Sequence, residues 1–302
     1  MTTRREFLAA LSSVPLSSLL TALAAAQQKI PARRIPVSGE LLPVVGLGSS
    51  KVVEEIAKHG EEPLRQVLRA LVAHGGKVVD TWPRNPSNDS RFGAVINEPE
   101  FRDALFVTTK IDRVGREAGL EQLRQSMQHY GRKVIDLAQI FSLTDLDTHW
   151  PTLREWKASG QARYIGVTVS DDRRHADLEA FLRREKPDVV QMNYSITERR
   201  AEERLLPFAA DRGVAVVINR PFMNGALFRR LEGRALPPWA AEIGCTTWAQ
   251  FSLKYILSNP NVTCVLTETS NPKHMAENAQ AALGTMPDEA TRKRMREFID
   301  AV

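Results

Sequence analysis

Short apolar, β-branched runs recur along this chain, separated by stretches with helical periodicity. The runs are PVVGLG (43–48), GKVVDT (76–81), ALFVTT (104–109), VIDLAQI (134–140), ARYIGVTV (162–169), DVVQMNY (188–194), VAVVIN (214–219) and VTCVLT (262–267). Between the first two, EEPLRQVLRALVAHGG places Leu64, Val67, Leu68 and Leu71 on one face and stops at Gly75-Gly76, the pattern of a helix. LEQLRQSMQHYG ends at Gly131, THWPTLREWKASG begins at Thr148 and ends at Gly160, and TTWAQFSLKYILSNP ends at Pro260. Strands alternating with helices predict a parallel sheet. Eight such units with no second domain predict an α/β protein built as a single (β/α)₈ TIM barrel. The longest connection, RPFMNGALFRRLEGRALPPW (Arg220–Trp239), follows the seventh strand. Loops longer than about 12–15 residues are often functional.

Composition fits one large core: 302 residues, 43% hydrophobic and 25% charged. Cys245 and Cys264 are the only cysteines, which makes no disulfide framework, and no Cys/His spacing predicts a metal site. The N-terminus adds a different signal. Arg4-Arg5, a weakly apolar stretch and Ala24-Ala25-Ala26 predict a twin-arginine signal peptide over residues 1–26. The mature barrel is then 27–302, exported to the periplasm or beyond, with the twin-arginine export machinery as a partner. Ser12, Ser13, Pro15, Ser17, Ser18 and Thr21 interrupt the apolar run and argue against stable membrane insertion. Without Arg4, Arg5 and Glu6, 39 basic residues face 35 acidic ones. That surplus is small and dispersed, with no aromatic-interleaved basic stripe, so nucleic acid is not an expected partner.

Three segments carry candidate chemistry. GGKVVDTWPRNP (Gly75–Pro86), LFVTTK (Leu105–Lys110) and VIDLAQIF (Val134–Phe141) place Asp80, Lys110 and Phe141 at the C-terminal ends of successive strands. That rim carries the chemistry of (β/α)₈ barrels. A buried lysine there needs a partner, and Asp80 supplies one. Together with ASGQARYIGVTV, QMNYS and TSNPKHMAEN, these motifs resemble the aldo-keto reductases over nearly the whole mature chain, in particular their exported members.

The resemblance implies hydride transfer between NADP or NAD and a small-molecule carbonyl or alcohol. The family tetrad is Asp, Tyr, Lys and His. The tyrosine donates the proton, the lysine–aspartate pair lowers its pKa, and the histidine orients the substrate oxygen. Asp80 and Lys110 match, but the tyrosine slot holds Asn85 and the histidine slot holds Phe141. An amide does not ionise near neutrality, so Asn85 is no general acid. Of the four tyrosines, only Tyr194, just past the sixth strand, is expected at the rim; His149 is expected on a solvated loop or helix start. Lys110 can itself be the acid if desolvation lowers its pKa. On this reading Asn85→Tyr restores activity, with Trp82 and Pro83 as the steric obstacles.

The resemblance also implies a cofactor site. Gln191 matches the residue that binds the nicotinamide carboxamide, and Thr168 sits in the slot of a residue that helps hold that amide, with Val169 replacing the usual asparagine beside it. Arg220 takes the slot of a stacking aromatic, where a guanidinium can stack or bind an anionic substrate. Thr269, Ser270, Asn271 and a helix N-terminus suit phosphate. Lys273 and His274 suit a 2′-phosphate, and Glu277 and Asn278 suit adenine. Glu268 opposes a 2′-phosphate. TSNP also reads simply as a helix N-cap before Pro272. Three functions follow: an NAD(P)-dependent oxidoreductase with non-standard acid catalysis, a catalytically impaired nucleotide- or ligand-binding barrel, or a lysine-dependent lyase or isomerase.

Overall fold

Each of the eight apolar runs forms a strand. The computed structural model describes residues 28–302, so the expected export segment lies outside the described residues. A short antiparallel hairpin, β1 (Ala32–Arg34) and β2 (Leu41–Pro43), comes first and was not foreseen from the sequence. The barrel strands follow: β3 (Val45–Gly48), β4 (Val78–Asp80), β5 (Phe106–Ile111), β6 (Ile135–Phe141), β7 (Ala162–Thr168), β8 (Val189–Asn193), β9 (Ala215–Asn219) and β10 (Cys264–Glu268). All pair in parallel with their neighbours, and β10 pairs with both β9 and β3, which closes the sheet. The fold is a single (β/α)₈ barrel.

Strand alternation divides the core in two. Val78, Phe106, Leu137, Tyr164, Val189, Ala215 and Cys264 fill the inside at the N-terminal end of the barrel. Ile35, just past β1, and Leu42, in the middle of β2, join this cluster, so the hairpin plugs that mouth. The opposite set, including Val79, Val107, Ala138, Ile140, Val167 and Met192, packs against the surrounding helices. Gly166 on β7 is required by this closure, because a Cβ there would lie 2.2 Å from the Val189 carbonyl oxygen.

The helices follow their sequence signals. Glu62–Ala73 buries Leu64, Val67, Leu68 and Leu71 as expected, each burial contributing roughly 1.5–3 kcal/mol. Arg116–Tyr130 stops at Gly131, which adopts φ 60°. Leu146–Ala158 starts two residues before the expected Thr148 and contains Pro151. One missing backbone bond is tolerated there because the helix buries Trp150, Leu153 and Trp156. No helix among the described residues is long and apolar enough to cross a membrane.

Candidate active site

The C-terminal mouth of the barrel opens into a cleft of about 730 Å³. Asp80 at the end of β4 and Lys110 near the end of β5 both point into it, because each follows the inward phase of its strand. Lys110 Nζ donates to Asp80 Oδ2 at 2.6 Å, with a longer contact to the Thr81 carbonyl at 3.5 Å. The other carboxylate oxygen, Oδ1, accepts from Thr108 Oγ1 at 2.6 Å. The pair is buried, its side chains 3% and 11% exposed. Burial pushes the Lys110 ammonium below lysine's ordinary pKa; Asp80 opposes this and Arg84 reinforces it by repulsion.

Phe141 ends β6 on the far side of β5 and also lines the cleft. Trp82, two residues past Asp80, reaches across to it, the rings stacking with centroids 5.0 Å apart. Lys110 Nζ lies 5.1 Å from the indole centroid. The Arg84 guanidinium lies 3.8 Å from the same indole and is held by Glu54 Oε1 at 2.6 Å. An aromatic roof thus stands over the lysine, with a second cation beside it.

Asn85 is not part of this constellation. It is exposed and does not line the cleft. Its Oδ1 accepts from the backbone N–H groups of Ser87 (3.1 Å) and Asn88 (3.2 Å), capping the helix Pro86–Ile96. Asn-Pro at a helix start favours the cap, and this local demand turns the side chain away from the mouth. Tyr194 is buried rather than at the rim, its hydroxyl bonded to Glu202 and Arg292. His149 is buried in the helix Leu146–Ala158, with Nε2 against the Arg113 carbonyl at 2.6 Å. Neither lines the cleft, and no tyrosine or histidine among the described residues does.

Of the expected cofactor residues, Thr168, Gln191 and Arg220 line the cleft. Gln191 Nε2 donates to Asp80 Oδ2 at 3.3 Å, while its Oε1 is buried without a partner. Arg220 adopts φ 52° and its guanidinium bonds the Ser170 carbonyl, leaving a buried Nε unpartnered. Thr269, Ser270, Asn271, Lys273, His274, Glu277 and Asn278 do not line it. Asn271 caps the helix Pro272–Gln280 through the Lys273 N–H, and Thr269 Oγ1 accepts from the Asn271 N–H at 3.0 Å. Glu268 does reach the cleft, its Oε1 accepting the Lys51 N–H at 3.0 Å.

The sequence reading missed Asn219 and Arg84. Asn219 ends β9 and lines the cleft with Oδ1 buried and unpartnered; its Nδ2 donates to the Val169 carbonyl at 2.9 Å. A polar residue closing an apolar strand run was the available signal. Arg84 lay in the segment already singled out. The long connection after β9 contributes Pro221, Phe222, Asn224, Gly225 and Phe228 to the opposite wall.

Comparison with known proteins identifies the fold and the family. Two solved structures share the fold: an aldo-keto reductase, AKR11C1, from Bacillus halodurans in holo form, and an aldo/keto reductase from Klebsiella pneumoniae in complex with NADP and acetate. The first is 22% identical, with TM-score 0.70, covering 89% of this chain and 96% of that one. The second is 20% identical, with TM-score 0.73, covering 90% and 95%. Among curated proteins, the NADH-specific methylglyoxal reductase of Escherichia coli (strain K12) is 25% identical over 223 residues, 60% of this chain and 64% of that enzyme. The chain thus matches less than two thirds of that relative's length. Residues 44–297 match the Aldo/keto reductase family profile, a span that includes all ten of the residues Asp80, Lys110, Phe141, Thr168, Gln191, Arg220, Glu268, Trp82, Arg84 and Asn219. The chain belongs to the Aldo/keto reductase family.

Proposed function

We propose that this protein is an NAD(P)-dependent oxidoreductase acting on a carbonyl or alcohol substrate, with Lys110 in place of a tyrosine as the proton donor. The observation that carries this reading is the buried Lys110–Asp80 pair at the foot of a cleft that no tyrosine or histidine among the described residues lines. The residues Asn85 and Phe141, which stand in the tyrosine and histidine slots by sequence, supply no acid: one caps a helix and the other is a hydrocarbon ring.

The cleft residues fit a nicotinamide nucleotide at its reactive end. Gln191 Oε1 and Asn219 Oδ1 are buried acceptors without partners. Nearly all buried polar atoms are paired, so two orphans facing one cleft favour a ligand that donates, such as a carboxamide NH₂. Arg220 would meet an anionic part of the ligand. Glu268 places a carboxylate on the rim, which disfavours a 2′-phosphate and weakens or reverses a preference for NADP. The NADH specificity of the Escherichia coli relative and the NADP in the Klebsiella complex support the cofactor class.

When bound, the nucleotide supplies or accepts hydride. The chain's own residues handle the proton. The Lys110 ammonium donates to the carbonyl oxygen, and Asp80 holds it in line through its 2.6 Å bond. A depressed pKa brings the donor closer to neutrality, where proton transfer is most effective. Trp82 and Phe141 exclude water from the lysine.

Equilibrium titration with NADH and NADPH, followed by turnover with an aldehyde, tests this. Failure of both nucleotides to bind at millimolar levels removes the oxidoreductase reading. Binding without turnover selects the catalytically impaired barrel, which the aromatic filling around Lys110 favours. We also propose that residues 1–26 direct export through the twin-arginine route, on the strength of Arg4-Arg5 and Ala24-Ala25-Ala26. Changing both arginines to lysine should hold the protein in the cytoplasm, and unchanged export of that variant ends this reading.

A further inference from the structure

We infer that Lys110 also acts as a nucleophile, forming a reversible imine with aldehydes and ketones when no nicotinamide nucleotide is bound. This shares the carbonyl substrate class of the proposed function but not its hydride step.

Three features of the site lead there. First, Lys110 Nζ has one short partner, Asp80 Oδ2 at 2.6 Å, and a marginal one at 3.5 Å, so its bonding capacity toward the cleft is unused. Second, the amine is enclosed: its side chain is 3% exposed and the Trp82 ring lies 5.1 Å away. Third, Arg84 lies against that same indole and adds a fixed positive charge. Desolvation and a neighbouring cation are the two conditions that turn a lysine into a nucleophile. Both lower the ammonium's pKa here.

The atoms balance within the pair. The ammonium passes a proton to Asp80, and the freed lone pair attacks the carbonyl carbon. The carbonyl π electrons move to oxygen, which takes up a proton as nitrogen releases one. Asp80 then returns its proton to the hydroxyl, the C–O bond breaks, and water leaves. An ammonium and a carbonyl compound give a protonated imine and one water, with no change in oxidation state.

The test uses the whole mature protein, free of nucleotide, in mildly acidic buffer with a low concentration of propanal and sodium cyanoborohydride. Cyanoborohydride delivers hydride to the imine and fixes it as a secondary amine, located by peptide mass mapping. Lys51 and Lys273, both exposed, are internal references. Lys110 should be alkylated several-fold faster than either, because burial leaves it more of the free amine. Alkylation of Lys110 at or below the reference rates overturns the inference. The comparison is made within the wild-type protein, so it does not depend on a variant folding. Turnover with NADH and NADPH is measured on the same preparation. Turnover without Lys110 alkylation sinks the imine alone, whereas alkylation without turnover sinks the reductase reading alone.

Discussion

The indole of Trp82 lies on the ring of Phe141, their centroids 5.0 Å apart and their planes 26° from parallel. One residue follows β4 and the other ends β6, so the stack bridges over β5, with the indole 5.1 Å from Lys110 Nζ. Space beside the lysine is therefore filled by hydrocarbon rather than by a phenol and an imidazole. Among the described residues, Asp80 is the carboxylate paired with the lysine, in a buried setting, and Arg84 is the cation beside it.

Asn85→Tyr should not restore an acid. Asn85 faces away from the cleft, and its amide oxygen caps the helix Pro86–Ile96. Loss of the cap should cost about 1 kcal/mol. Urea denaturation should show that loss, and an aldehyde reduction assay should show no gain in kcat. A rise in kcat would mean that this loop rearranges to bring residue 85 into the mouth.

Lys110→Met should destabilise the fold by about 3–5 kcal/mol, because it strands the Asp80 carboxylate in a buried site. Adding Asp80→Asn removes the stranded charge and should recover most of the loss, since Thr108 can still donate to the amide oxygen. The two unfolding midpoints, compared with wild type, decide this. Equal stability of the single and double variants would show that water already reaches Asp80.

Carbonyl reduction should lose rate as pH rises, with an inflection below lysine's ordinary 10.5. The sign follows from the role: the donor works protonated, and burial makes it give up its proton earlier. Trp82→Ala admits water, relieves the desolvation and should move the inflection to higher pH. Lys110→Arg keeps its proton throughout, so the inflection should disappear even if activity falls. These profiles are read as kcat against pH at saturating nucleotide. An inflection unmoved in both variants would assign it to another group.

Strand periodicity and loop spacing determined the barrel. Eight apolar runs separated by amphipathic helices leave a closed parallel sheet as the architecture that buries both faces of every strand. Asp80 and Lys110 were legible for the same reason, because a polar residue closing an apolar strand run must face the open mouth. The Gln191 side chain followed by the same logic. The hairpin plug was not legible, since β1 and β2 are three residues each and are held largely by tertiary contacts with the barrel floor and its neighbours. Nor was the fate of Asn85. Sequence spacing gave its distance along the chain from Asp80, but a side chain in a loop is aimed by whichever hydrogen bonds it can satisfy. Here two unpaired N–H groups at a helix start claimed it. Trp82 and Phe141 lie far apart in sequence, and nothing local to either predicts their stack. Only closure of the barrel sets the ends of β4 and β6 on either side of Lys110, and that packing, rather than the motif around any one residue, determines how wet the lysine is and what it can do.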